Sequence, residues 1–270
     1  MTSGTLLIHL GGLGDVCLSE STFHSLHAHF GGDVHALGYK RFLALFDQYF
    51  AQVLSVEDRS WLWLFSDLPC EKHWKQTVLV GKDKSGEMRK RLSVVSSQPP
   101  LFIDLYPEGE RTHVEAYQLS QLQELGIKPQ KKEIEELSPH RIILYPEQSY
   151  TKKKWPYDSF VSVHNMLKHK GVDIVLLEAP DLEPSLNDSR RFEDLKETAH
   201  FLSEGGLFFS NDSGIAHLAA ACGLATVTLF WDHDPVIWHP RGRNVSIRCD
   251  APSPTVEEMA SLILKVRAEG

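Results

Sequence analysis

Along this chain, short apolar runs bounded by glycines or polar turns alternate with segments whose apolar residues recur at helical spacing. This alternation leaves few folds open. A short apolar run is buried on both faces only in a sheet that helices cover on both sides, so the pattern predicts an α/β chain with parallel strands. Candidate strands in the first half are Thr5–Leu10, Val34–Leu37, Gln52–Val56, Thr77–Val80 and Leu101–Asp104. Helical segments are predicted over Val16–Phe30, Val114–Leu125 and around Phe42–Tyr49 and Ser60–Phe65, where Trp61 and Trp63 read as core or lid contacts. The segment Lys128–His140 has few apolar residues and two prolines, reads as a linker, and divides the chain into residues 1–137 and 138–270. The second half repeats the pattern, with strands at Arg141–Tyr145, Val172–Leu177, Leu207–Phe209, Ala225–Phe230 and Asn244–Ile247. Helices are predicted over Pro156–Lys170, Leu195–Glu204, Gly214–Cys222 and Thr255–Arg267, the last a candidate to pack back on the N-terminal half.

Composition narrows the function. A net charge of −8 without a long basic run argues against a nucleic-acid binder held by phosphate contacts. The longest apolar runs are strand-sized rather than membrane-spanning, and Met1–Thr5 shows no signal-peptide pattern, so the cytoplasm is the expected location. The 4 cysteines are scattered without a C-x-x-C pair, and none of the 14 histidines forms H-E-x-x-H, which predicts reduced thiols and no zinc site.

Three loops follow predicted strands and carry the chemistry. Gly11-Gly12-Leu13-Gly14-Asp15 is a glycine turn that permits positive φ or close backbone approach and sets Asp15 beyond the carboxyl end of a strand, as a helix cap or as a functional carboxylate. It is not G-x-G-x-x-G, and Val34–Leu37 is followed by Gly38-Tyr39-Lys40 rather than an acid, so no nicotinamide cofactor is expected. Pro146–Trp155 brings hydroxyls and three lysines to a helix start, as an anion site or as a solvated cluster. In Ser210-Asn211-Asp212-Ser213-Gly214, good N-caps precede a helix rich in small residues, whose first N–H groups suit a phosphate; an ordinary capped helix would explain the same turn. Lys82–Arg91 reads as a solvated loop or helix face, or as a loop that meets an anionic acceptor.

Gly11–Val16, Lys153-Lys154-Trp155-Pro156, the run from Ser210 to Ala221, Thr228–Phe230 and Asp234-Pro235 together resemble glycosyltransferase family 9, the bacterial heptosyltransferases of lipopolysaccharide core assembly. The order and spacing fit over nearly the whole chain. The resemblance implies a GT-B fold, two Rossmann-like α/β/α domains facing across a cleft, with the acceptor side in the N-terminal half and the nucleotide sugar in the C-terminal half. It implies metal-independent, inverting transfer of heptose from ADP-heptose to a lipopolysaccharide core or related glycan or glycolipid acceptor. No separate cofactor is implied, and the membrane would be met at most peripherally, at the inner face of the inner membrane.

The resemblance also implies roles. Asp15, after Gly11, Gly12 and Gly14, would be the base. Ser149, Lys153, Ser213 and Gly214 would hold the diphosphate, with Lys154 as the substitute for Lys153. Asp212 would meet the sugar, His217 would support the phosphate or simply pack, and Glu183, with Glu178 as second candidate, would hold the ribose. Arg191–Asp194, including Glu193, would border the adenine. Trp231 and His233 stand where the family usually has small residues, and the N-terminal half is short for the family. Two other readings stay open, a nucleotide-binding module that has lost transfer and a GT-B enzyme using another nucleotide sugar, such as an epimerase.

Overall fold

A computed structural model describes residues 4–70, 72–146, 154–179, 186, 189–250 and 252–270. The chain divides into two compact units, Met1–Lys132 and Glu133–Gly270. Both are α/β.

The first unit is built on parallel strands β1 (Thr5–His9), β2 (Val34–Gly38), β3 (Gln52–Ser55), β4 (Gln76–Val80) and β5 (Leu101–Ile103), in the order β3-β2-β1-β4-β5. Every residue of β1 and of β4 is buried, which is why both read as unbroken runs rather than alternating ones. Trp61 and Trp63 sit in a core with Leu6, Ile8, Leu37 and Leu79, which settles them as core residues. They are carried by a 3₁₀ helix, Arg59–Leu64, where helical spacing alone predicts only a helix. The charged segment after β4 is a loop that turns at Gly86, φ 73°, into helix Glu87–Val95, which buries Leu92 and Val95.

The helix predicted over Val16–Phe30 is two helices, Leu13–Leu18 and Glu20–His29. Ser19 separates them at φ −90°, ψ 3°. Its hydroxyl donates to the Asp15 carbonyl at 2.8 Å, and this bonding back to the preceding turn bends the chain there.

The second unit pairs β6 (Ile142–Tyr145), β7 (Ile174–Leu176), β8 (Leu207–Asn211), β9 (Ala225–Phe230) and β10 (Asn244–Arg248), all parallel, in the order β10-β9-β8-β6-β7. Helix Tyr157–His169 and the last helix, Val256–Ala268, pack on the same core: Phe160, Val163 and Leu167 from one meet Met259, Ile263 and Val266 from the other. The last helix therefore completes the second unit. The segment entering this unit is pinned rather than loose. Leu137 N–H donates to the Gly223 carbonyl, and a Cβ on Gly223, at φ 97°, would lie 2.4 Å from the Glu135 carbonyl oxygen.

The strand orders decide where ligands can bind. In an open parallel sheet the crevice lies beyond the carboxyl ends of the two strands at which the winding reverses. In the first unit that point falls between β1 and β4, and in the second between β6 and β8.

Candidate active site

The loop after β1 brings Gly11, Gly12, Gly14 and Asp15 to the first of these points. Helix Leu13–Leu18 starts inside the predicted glycine turn, so Asp15 is its third residue rather than its cap. Asp15 is half-buried, and its Oδ2 accepts the Gly12 N–H at 2.9 Å, which orients the carboxylate in the first helical turn. None of Gly11, Gly12 and Gly14 has positive φ. Gly11 is required for closeness instead: a Cβ there would lie 2.6 Å from Asp15 Cβ and 2.8 Å from His9 Cε1.

The crevice of the second unit is lined by the turn after β8. Ser213 is the N-cap of helix Gly214–Ala221 and accepts the Ala216 N–H, leaving Gly214 at the first helical position. Asp212 and Ser213 both read as caps in the sequence, and Ser213 takes that role. Asp212 instead points its carboxylate between two imidazoles. His233 Nδ1 lies 2.6 Å from Oδ2 and His217 Nε2 lies 3.9 Å from Oδ1. His217 is buried, and desolvation lowers its pKa to about 4. It packs as a neutral ring whose Nδ1 has no hydrogen-bond partner among the described residues.

Asn211, the last residue of β8 and 2% exposed, organises this end of the sheet. Its Oδ1 accepts the backbone N–H of Trp155 at 2.9 Å and Trp231 Nε1–H at 3.1 Å, and its Nδ2 donates to the Trp155 carbonyl at 3.2 Å. Trp155 packs on Phe160 and Phe209, with ring centroids 4.9 and 5.5 Å away. Half-buried Lys154 directly precedes the Trp155 backbone that Asn211 holds, and Asn211 directly precedes the Asp212–Gly214 turn. Ser149, Lys153 and Glu183 lie outside the described residues.

Glu178, two residues beyond β7, is engaged within its own unit. Its side chain is 1% exposed, accepts the Tyr157 hydroxyl at 2.5 Å and pairs with Arg191 at 3.3 Å. Leu177 and Arg190 form a parallel bridge that lays the following segment against β7, and exposed Glu193 lies three residues further on. Asp194 caps helix Leu195–Leu202 by accepting the Lys196 N–H at 2.8 Å. Among the described residues no group of three or more His, Cys, Asp and Glu is arranged to hold a metal ion.

Sequence reasoning passed over Asn211, His9 and the partnership of His233 with Asp212. A polar residue closing a buried strand signals Asn211 and His9. Nothing local signals the pairing of residues 212 and 233.

Two solved structures share this architecture over almost the whole chain. A family 9 glycosyl transferase from Veillonella parvula aligns with 98% of this chain and 97% of its own, at TM-score 0.73 and 13% identity. The heptosyltransferase WaaC of E. coli, solved with ADP, aligns with 99% of each chain at TM-score 0.70 and 13% identity. The fold is that of the GT-B glycosyltransferases. More particularly, the chain belongs to glycosyltransferase family 9 (heptosyltransferase), whose model matches residues 110–263. It is 25% identical over 169 residues to lipopolysaccharide heptosyltransferase 3 of Escherichia coli strain K12, a match that spans 50% of this chain and 48% of that protein.

Proposed function

We propose that this chain transfers a heptose from ADP-heptose to a hydroxyl of a lipopolysaccharide core or related surface-glycan acceptor, with inversion at the anomeric carbon and without a metal ion. The observation that carries the reading is that Asp15 and the Asp212–Gly214 turn each stand at the winding reversal of their own sheet. The acceptor oxygen attacks the anomeric carbon from the face opposite the diphosphate, forming one C–O bond as the bond to the phosphate oxygen breaks. Asp15 takes the hydroxyl proton, and ADP departs with the negative charge.

The leaving group is stabilised by the first N–H groups of helix Gly214–Ala221, by the Ser213 hydroxyl and by Lys153 or Lys154, with Ser149 a further donor. Asp212 accepts hydrogen bonds from the sugar. Glu183 takes the ribose hydroxyls, since Glu178 is bonded to Tyr157 and Arg191, and Glu193 borders the adenine. The reaction is assigned to the cytoplasm, at the inner face of the membrane where such an acceptor is met. No helix among the described residues is long and apolar enough to cross a membrane.

Mass spectrometry of reactions with ADP-heptose, ADP-glucose and UDP-sugars in the presence of a chelator tests this reading. The expected result is a heptosylated product from ADP-heptose alone, undiminished by the chelator. Preference for a UDP-sugar would overturn the adenine assignment. ADP binding without turnover on any acceptor would favour the nucleotide-binding module, and a free epimerised sugar would favour an epimerase.

A further inference from the structure

We infer that His9 is a positioning residue for Asp15: as a neutral ring fixed in one tautomer, it holds the glycine loop and the helix start that present the carboxylate. The inference rests on the reading of Asp15 as the base.

His9 closes β1, is fully buried and packs edge-on against Phe23, with ring centroids 5.6 Å apart. Each ring nitrogen holds one end of the segment that carries Asp15. On one side the Gly11 N–H donates to Nδ1 at 3.3 Å; on the other, Nε2 lies 3.2 Å from the Ser19 hydroxyl oxygen. The proton inventory permits one arrangement. Ser19 has a single hydroxyl proton and gives it to the Asp15 carbonyl at 2.8 Å, so towards the ring it can only accept. Nε2 therefore carries the proton, and Nδ1 keeps the lone pair that the Gly11 N–H requires.

Ser19 is fixed from behind by Gln118. The Gln118 amide nitrogen donates to Ser19 Oγ at 3.1 Å and to the Leu105 carbonyl at 2.8 Å, while its oxygen accepts the Thr22 hydroxyl at 2.7 Å. The loop N–H groups then divide the work: Gly11 is held by His9, and Gly12 holds Asp15 Oδ2. Removing the imidazole leaves the Gly11 N–H without its acceptor directly beside Asp15, where no Cβ can fit to stiffen the loop. Burial keeps the ring neutral, its pKa lowered to about 4, so the lone pair persists at neutral pH.

The test compares His9→Leu, which removes both ring contacts, with His9→Asn, whose Oδ1 can take the place of Nδ1 as acceptor for Gly11. Two readouts are used on the full chain: transfer from ADP-heptose to lipopolysaccharide core oligosaccharide, and hydrogen exchange of the peptide covering residues 10–19. In His9→Leu kcat should fall about ten- to hundredfold while the KM for ADP-heptose and the affinity for ADP hold. The peptide should exchange faster, and His9→Asn should restore most of both. Wild-type kcat and exchange in His9→Leu would overturn the inference, as would a loss confined to KM or one that His9→Asn does not relieve.

If His9→Leu does not fold, Ser19→Ala reads the same chain of bonds, and a wild-type kcat with unchanged exchange there would be equally fatal. Asp15→Ala separates the two readings. If that variant stays active, the base assignment fails; if it is inactive while His9→Leu is fully active, only the positioning role fails.

Discussion

His233 Nδ1 lies 2.6 Å from Asp212 Oδ2, while the other carboxylate oxygen faces His217 Nε2 at 3.9 Å. The two imidazoles differ in kind, because the His233 side chain is 54% exposed and that of His217 only 6%. His233 is thus the partner able to hold Asp212 in place, while buried His217 limits where the carboxylate can turn. A half-exposed pair of this sort is worth about 0.5–1 kcal/mol. His233→Ala should accordingly raise the KM for the sugar nucleotide about two- to fivefold, with ADP affinity unchanged by calorimetry. Weakened ADP binding would assign His233 to the phosphate instead of the sugar.

Asn211 carries more. It satisfies the backbone of Trp155 in both directions and the Trp231 indole N–H, so Asn211→Ala leaves buried donors unmet at the mouth of the second unit. The expected loss of stability is about 2–4 kcal/mol, read from urea unfolding, together with weaker ADP binding as the Lys154–Trp155 segment loosens. Full ADP affinity in a stable Asn211→Ala protein would separate that segment from the nucleotide site.

Asp15→Ala should abolish transfer by about 10²–10⁴-fold and leave ADP binding intact, because the group is needed only as the hydroxyl proton leaves. Lys153→Ala should do the reverse and weaken ADP binding itself. Unchanged affinity in that variant would point to Lys154. Turnover at the wild-type rate in Asp15→Ala would remove the carboxylate from the mechanism.

Acid should destabilise both units. Burial lowers the pKa of His9 in the first unit and of His217 in the second to about 4, from 6.5. Between those values the unfolded chain takes up a proton that the folded chain refuses, so stability is complete above about pH 6.5 and falls as the pH drops towards 4. Each ring costs about 3 kcal/mol by pH 4. Urea midpoints measured from pH 7 to pH 4.5 should fall, and His217→Gln should flatten the decline of the second unit. A variant that retains the wild-type slope would show that other groups govern the acid transition.

Much of this molecule is written in local patterns. The runs at Thr5–His9 and Ala225–Phe230 announce their strands because every residue in them is buried, which favours apolar and β-branched side chains and leaves few polar ones. The small-residue helix from Gly214 to Ala221 is legible for a related reason: it needs a cap, and Ser213 supplies one. The resemblance to glycosyltransferase family 9 was likewise readable, since its motifs are contiguous stretches whose order survives in the chain, and the family match bears it out. The break at Ser19 was not legible, because the spacing of apolar residues continues through it and only a hydroxyl bonding back to Asp15 marks the bend.

What the sequence by itself determined is therefore the strands, most of the helices, the α/β class and the residues available for chemistry, all of which depend on neighbours within a turn or a strand. Tertiary structure alone decided the strand orders, and with them the two points where the winding reverses and ligands can enter. It also decided which side chains stand together: His233 with Asp212 across 21 residues, Trp155 with Asn211 across 56, and Gln118 with Ser19 across 99. The physical reason is the same in each case. A hydrogen bond between distant segments depends on how the sheet is wound and on the burial that excludes water, and neither leaves a periodic trace in the chain.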